Sequence, residues 1–365
     1  MAMTNNNQQR IGAYVHIPFC RYRCDYCAFI TFTDRDHLIG AYVDACMLQL
    51  QQESATRPPL HTLYFGGGTP SRLTPEQVGK LIKSATLQPG AEVSIECNPD
   101  DVSVELLRGY VEAGVTRASF GVQSTSTRAL QQLGRPTPAL SVEELAEVVR
   151  ECGLASWNLD LIYGAAGETP AEFGATLGRI LALRPPHLSA YALTVEPGTP
   201  LARTPERYPN EDHQADRYEY LSEQLSSVGY VFEEISSWSL PGHECLHHDL
   251  YWTGGNYLGI GAGAHGHDNG RRYWNSVSPE RYIEAVQTGR SPVAGEELLD
   301  EQTRALEQLT LLLRTAHGVP WEGIDHDKLR DLGAERALIE RRENRAVLTI
   351  AGRLVANTVV QCLIG

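Results

Sequence analysis

Apolar positions follow two alternating periods along this chain. Short runs rich in β-branched and aromatic residues, Ala13–Ile17, Thr62–Phe65, Glu92–Cys97, Thr116–Gly121, Asn158–Ile162 and His187–Leu193, read as strands. Between them the apolar residues recur every three or four positions. Leu38, Ile39, Tyr42, Val43, Cys46 and Leu50 share one helical face. Further helices are expected over Pro75–Thr86, Val102–Ala113, Val142–Cys152 and Pro170–Leu183. Thr74 with Pro75 and Gln77, and Thr169 with Pro170 and Glu172, have the residue order of capped helix starts. Strand–helix alternation implies a parallel sheet with right-handed crossovers. Six such units predict an α/β fold, a partial, TIM-like (β/α)6 barrel, with a seventh strand near Val231–Ile235 extending its edge.

From about Leu201 the pattern changes. Asn210–Val228 and Glu301–Leu313 read as helices, Cys245–His267 is rich in His, Gly and aromatics, and Val347–Ile350 with Leu354–Val360 resembles a hairpin around Gly352. The expected organisation is a polar tail over 1–11, a core over 12–235 and a C-terminal region over 236–365 that ends in a small α+β appendage. No internal repeat or low-complexity linker is visible.

Composition narrows the classes. A chain of 365 residues with 42% hydrophobic residues can bury a large core. A net charge of -14 disfavours nucleic acid as the main partner, because phosphate binding wants a basic surface. No apolar run approaches a membrane span, and Met1–Arg10 lacks the apolar core of a secretory signal, so a cytoplasmic location is expected.

The eight cysteines are unevenly spread: Cys20, Cys24 and Cys27 crowd into one short segment, and five are scattered. A disulfide framework does not suit a large cytoplasmic chain. The CxxxCxxC spacing directly follows the first expected strand. Three thiolates on one loop can each take a different iron of a [4Fe–4S] cube and leave the fourth open. S-adenosylmethionine can chelate that iron through its amino and carboxylate groups. An electron from the reduced cluster then cleaves the sulfonium C–S bond, giving a 5′-deoxyadenosyl radical. The alternative is zinc, but structural zinc prefers four closed ligands and no second cysteine pair exists.

CxxxCxxC after strand one, with Gly66-Gly67-Gly68-Thr69-Pro70 after strand two, resembles the radical S-adenosylmethionine superfamily. Tyr14-Val-His16-Ile-Pro18-Phe-Cys20, Gly121-Val-Gln123-Ser, Leu133-Gly-Arg135, Asn158-Leu-Asp160-Leu-Ile-Tyr163-Gly164 and Ser189-Ala-Tyr191-Ala192 through Pro200 resemble the oxygen-independent coproporphyrinogen III oxidase group. Within it the chain looks most like the heme-chaperone branch, HemW. The coproporphyrinogen dehydrogenases carry a further cysteine two residues after the third ligand; here Phe29 stands there. They also carry a longer extension before the first strand. The branch's HNxxYW motif has its counterpart in His247-His248-Asp249-Leu250-Tyr251-Trp252, with His248 in place of Asn. Thr137 stands where many relatives have His.

The resemblance implies roles. Cys20, Cys24 and Cys27 would bind the cluster; Tyr14, Gly67, Gly68 and Thr69 would lie at S-adenosylmethionine; and Glu96 would accept from its ribose hydroxyls. Gln123, Arg135, Asp160 and Ala192 match positions that hold a second S-adenosylmethionine; alternatively Asp160 pairs with Arg135. His247 would be a heme axial ligand, Tyr251-Trp252 would shelter a porphyrin face, and Cys245 would add a thiolate or covalent link, or is simply a small buried residue. Cys46, Cys97, Cys152 and Cys362 read as structural. The implied function is heme binding and delivery to apo-hemoproteins such as respiratory enzymes, with an electron donor for the cluster, a homodimer, and peripheral contact with a membrane during delivery. The alternatives are coproporphyrinogen III dehydrogenation and radical methyl transfer. No catalytic residue is singled out.

Overall fold

The computed structural model describes residues 10–325, 328 and 338–364. Most of the expected polar tail, residues 1–9, lies outside them. Six parallel strands follow the expected runs: β1 (Ile11–Ile17), β2 (Leu60–Gly67), β3 (Leu87–Cys97), β4 (Arg117–Gln123), β5 (Ser156–Tyr163) and β6 (His187–Ala192). β1 and β5 are buried at all but one or two positions, as strands covered on both faces must be.

The crossover helices are α1 (Ile39–Ser54), α2 (Pro75–Ser84), α3 (Val104–Ala113), α4 (Thr127–Gln132), α5 (Val142–Cys152) and α6 (Pro170–Leu183). Their starts are local chemistry. Thr74 with Gln77 and Thr169 with Glu172 form reciprocal capping boxes, as does Ser141 with Glu144. Tyr42, Val43, Cys46 and Leu50 of α1 are buried, as its periodicity requires.

The C-terminal half completes the same sheet. After α7 (Glu211–Ser227) come β7 (Val231–Glu234), β8 (Ser237–Ser239), α8 (Leu246–Trp252), β9 (Asn256–Ile260), β10 (His265–Asp268), β11 (Arg271–Asn275), α9 (Pro279–Gln287) and β12 (Val293–Leu298). The sheet order is β12-β11-β10-β9-β1-β2-β3-β4-β5-β6-β8-β7. β9 pairs in parallel with β1, Ile11 opposite Asn256 and Val15 opposite Ile260. The boundary expected at residue 235 therefore falls between the two strands of the β7–β8 hairpin, and one sheet runs through both sides of it.

α10 (Glu301–Leu312) then leads to a small sheet of β13 (Val319–Pro320), β14 (Ile339–Arg342) and β15 (Arg345–Leu348). The hairpin expected around Gly352 is not formed. β15 pairs with β14 instead, and residues 350–364 make two short helices, α11 (Ile350–Leu354) and α12 (Ala356–Ile364). Gly352 serves close packing rather than a turn, since a Cβ there would lie 1.9 Å from the Leu338 carbonyl oxygen.

Candidate cofactor site

The cysteine loop leaves β1 at its C-terminal end and is held from three sides. Cys20 N–H donates to Phe32 O (3.0 Å) and Phe32 N–H to Pro18 O (2.7 Å), which folds the loop back on itself. Asp25 N–H donates to Leu133 O (3.2 Å), Asp25 O accepts from Leu201 N–H (2.9 Å), and the Asp25 carboxylate pairs with Arg207 at 2.7 Å. Gly134, at φ +64°, lets Asp25 pass; a Cβ there would meet its carboxyl carbon at 2.2 Å. This explains the Leu-Gly-Arg segment, whose Arg135 reaches Cys24 with Nη1 3.7 Å from Sγ. Thr69 Oγ1 donates to Cys20 Sγ at 3.3 Å. Burial pushes the Cys20 thiol up to about 11, with the Thr69 hydrogen bond opposing.

All three thiols line one cavity of about 490 Å³ at the C-terminal ends of the parallel strands, the end where barrel sites assemble. Among the described residues, no three His, Cys, Asp or Glu side chains converge to hold a single metal ion. Thiols that share a cavity without meeting at one point suit a polynuclear cube, in which each sulfur needs its own iron.

Gly67, Gly68, Thr69 and Glu96 form the next wall. Gly67 sits at φ +113°, and a Cβ there would lie 2.4 Å from the His16 ring. Its N–H donates to Glu96 Oε2 and Tyr64 Oη to Oε1, each at 3.0 Å. Burial and the nearby Asp160 charge raise the Glu96 carboxyl to about 7, against both hydrogen bonds. Tyr14 does not line the cavity. It stands behind Gly66, with its hydroxyl 3.0 Å from His16 Nδ1.

Gln123, Arg135, Asp160 and Ala192 line the same cavity. Gln123 ends β4 at φ +67°, a strained conformation for a residue with a side chain, and its buried Oε1 has no hydrogen-bond partner among the described residues. Arg135 Nε is unpartnered as well. These orphaned atoms, with the free carboxylate lone pairs of Glu96, fit a polar nucleoside ligand. The alternative pairing of Asp160 with Arg135 is not formed. Asp160 accepts from Ser119 Oγ (2.9 Å) and Asn158 Nδ2 (2.7 Å), while Arg135 turns to Cys24, Asn98 and Gly121 O. Burial raises the Asp160 carboxyl, which these two hydrogen bonds oppose.

The His-His-x-x-Tyr-Trp segment forms α8, which lies across the N-terminal ends of β1–β3 and closes the cavity from below. Glu92 caps it, accepting from Leu246 N–H and His247 N–H, both at 3.2 Å. His247 is 0% exposed. One ring nitrogen meets Thr62 Oγ1 at 2.7 Å and the other Tyr251 Oη at 2.8 Å, and the ring stacks on Tyr64 at 5.0 Å. The expectation that His247 ligates a heme iron is corrected accordingly: both nitrogens are in use, and burial lowers its pKa far enough to keep it neutral. Tyr251 spends its hydroxyl on His247 and its ring on Tyr257, 4.6 Å away, rather than on a porphyrin face. Cys245 is 3% exposed beside Glu92 and does not line the cavity, so its thiolate or covalent role is withdrawn too.

The imidazole that does face the cavity is His248, leaning on Tyr64 at 5.3 Å. The signal was its departure from the Asn of the motif. Cys97, read as structural, also lines the cavity; its place beside Glu96 at a strand end was the available clue.

A family model described as the Radical SAM superfamily matches residues 14–180. A protein of Mycobacterium tuberculosis strain H37Rv named heme chaperone HemW is 38% identical over 98% of this chain and 95% of its own length. The protein of that name from Bacillus subtilis is 32% identical, over 97% and 99%. The solved structure of coproporphyrinogen III oxidase (HemN) from Escherichia coli, a radical SAM enzyme, superposes with a TM-score of 0.82 at 22% identity, covering 98% of this chain and 90% of that one.

Proposed function

From the membership of this chain in the HemW family of radical SAM proteins, we propose that it binds heme and hands it to apo-hemoproteins, with respiratory enzymes among them, in the cytoplasm. The observation that carries this reading is the cysteine-lined cavity of a radical SAM protein with Phe29, not a fourth cysteine, at its mouth.

Cys20, Cys24 and Cys27 hold a [4Fe–4S] cluster, and the cavity walls hold S-adenosylmethionine beside it. When bound, the pair supplies reductive cleavage of the sulfonium. The chain's own residues do the rest. Gly67 and Gly68 keep the wall flat enough for close approach, and Glu96 takes the ribose hydroxyls while Gly67 N–H and Tyr64 Oη hold its carboxylate still. Arg135 places a cation against Cys24 and steadies the thiolate. Gln123, Asp160, Arg135 and Ala192 offer a place for a second molecule of the ligand. Tyr14 acts from behind the glycine turn, through His16. Residues 12–235 thus supply the cavity, and 236–365 supply its floor and one sheet edge. An electron donor reduces the cluster from the loop side, and the working unit is a dimer. The described residues contain no helix long and apolar enough to cross a membrane, so any membrane contact during delivery is peripheral.

Anaerobic reconstitution with iron and sulfide tests the reading. Heme titrated into that protein gives a saturable Soret band, and coproporphyrinogen III with S-adenosylmethionine and dithionite is not turned over. Steady product formation without heme uptake would overturn the proposal in favour of the dehydrogenase, and uptake of zinc alone would remove its basis.

A further inference from the structure

The mouth of the cavity is apolar and cationic in a chain that is otherwise acidic. Phe29, two residues after Cys27, is 66% exposed and lines the cavity, and Tyr191 on β6, 40% exposed, lines it as well. Two aromatic rings left in water at one opening mark a surface that waits for an apolar partner. Arg23 lies on the same loop. Its Nε and Nη2 donate to Cys27 O at 3.2 and 3.1 Å, while Nη1 has no partner and the guanidinium no carboxylate among the described residues. In a chain of net charge -14, whose arginines mostly sit beside acids, that is an uncompensated cation. Thr31 Oγ1, also at the mouth, is buried without a hydrogen-bond partner.

We propose that this rim is the heme-docking site: the macrocycle lies against Phe29 and Tyr191, and a propionate takes Arg23 Nη1. The assignment rests on the heme-carrier reading above and gives it a place. Charge complementarity selects the occupant. A flat apolar ring with carboxylates at one edge satisfies rings and guanidinium together, whereas an uncharged apolar ligand would leave Arg23 unanswered. His247 and Cys245 take no part, and the heme sits over the cysteine loop rather than at α8. A docked heme would also cover the opening and shut water out of the cavity.

The test uses the reconstituted full chain, with heme, protoporphyrin IX and protoporphyrin IX dimethyl ester as probes, followed by tryptophan quenching and the Soret band. Phe29→Ser, Tyr191→Ser and Arg23→Glu should each weaken heme binding about tenfold or more. Arg23→Lys should keep most of it. Wild type should prefer the free acid over the ester, and Arg23→Glu should lose that preference. Cluster iron and sulfide should stay at wild-type content in Tyr191→Ser, which lies outside the cysteine loop. Heme affinity within twofold of wild type in all three disruptive variants would refute the docking site while leaving the carrier reading intact. Absence of heme uptake by the wild type would refute both.

Discussion

Replacing His247 with Phe separates a structural imidazole from a ligating one. The ring's stacking on Tyr64 survives the change, but Thr62 Oγ1 and Tyr251 Oη lose their shared partner. Thr62 is 1% exposed and cannot turn to water; Tyr251 is half-buried and is partly rescued. A buried polar group left without its hydrogen bond costs about 1–3 kcal/mol. Counting Thr62 in full and Tyr251 at the low end, His247→Phe should destabilise the chain by about 3 kcal/mol. Tyr251→Phe, which strands only one imidazole nitrogen, should cost about 1–2 kcal/mol. The double variant should lose less than the sum by about 1 kcal/mol, because the second change removes a group the first had already orphaned. Urea midpoints of the cluster-free chain at pH 7.5 give these differences, and the Soret band of the reconstituted variants gives the second readout, expected to be unchanged in position. A stability loss under about 0.5 kcal/mol, or a shift of the Soret band toward that of a heme without an imidazole ligand, would refute the reasoning.

Glu92→Ala should cost about 2 kcal/mol, since two charge-assisted acceptors at the start of α8 disappear and the His247 N–H is left buried; Glu92→Gln, which keeps one acceptor oxygen, should cost about half of that, and a urea series reads both. His317 Nε2 lies 2.7 Å from Asp249 Oδ1, and this hydrogen bond raises the imidazole pKa above its ordinary value. Its stabilisation is therefore complete below the unfolded value near 6.5 and is lost as pH rises through the folded value. The stability advantage of wild type over His317→Asn should thus be larger at pH 6 than at pH 8.5; an advantage that grows with pH would contradict the pairing.

Much of the barrel could be read from local pattern because its determinants are local. Thr74 and Thr169 carry their own capping partners three residues on, and the β1 and β5 runs are apolar enough to be strands buried on both faces. The cysteine spacing and the glycine turn named the cavity for the same reason. What escaped depends on distant partners. Nothing near Asn256–Ile260 tells that this run will pair with the first strand. Gly352 has a turn residue's identity, but its need is steric and is set by Leu338. The two adjacent histidines are alike in sequence, and only Thr62, Tyr251 and the cap from Glu92 decide that His247 points into packing and His248 into the cavity. Motif identity marked the right helix and the wrong nitrogen.

The parallel pairing of β9 with β1 has a temporal side. The strand that presents the cysteines begins at Ile11, and its outer neighbour begins at Asn256, 245 positions later. During synthesis the cluster-bearing strand keeps one edge open until about seven-tenths of the chain has left the ribosome, and the α8 plug emerges only just before that. Iron and sulfide therefore meet a finished cradle only late. Maturation of this protein belongs after translation, and a truncation that spares every cysteine but removes β9 would leave the nascent loop without a settled wall to load against.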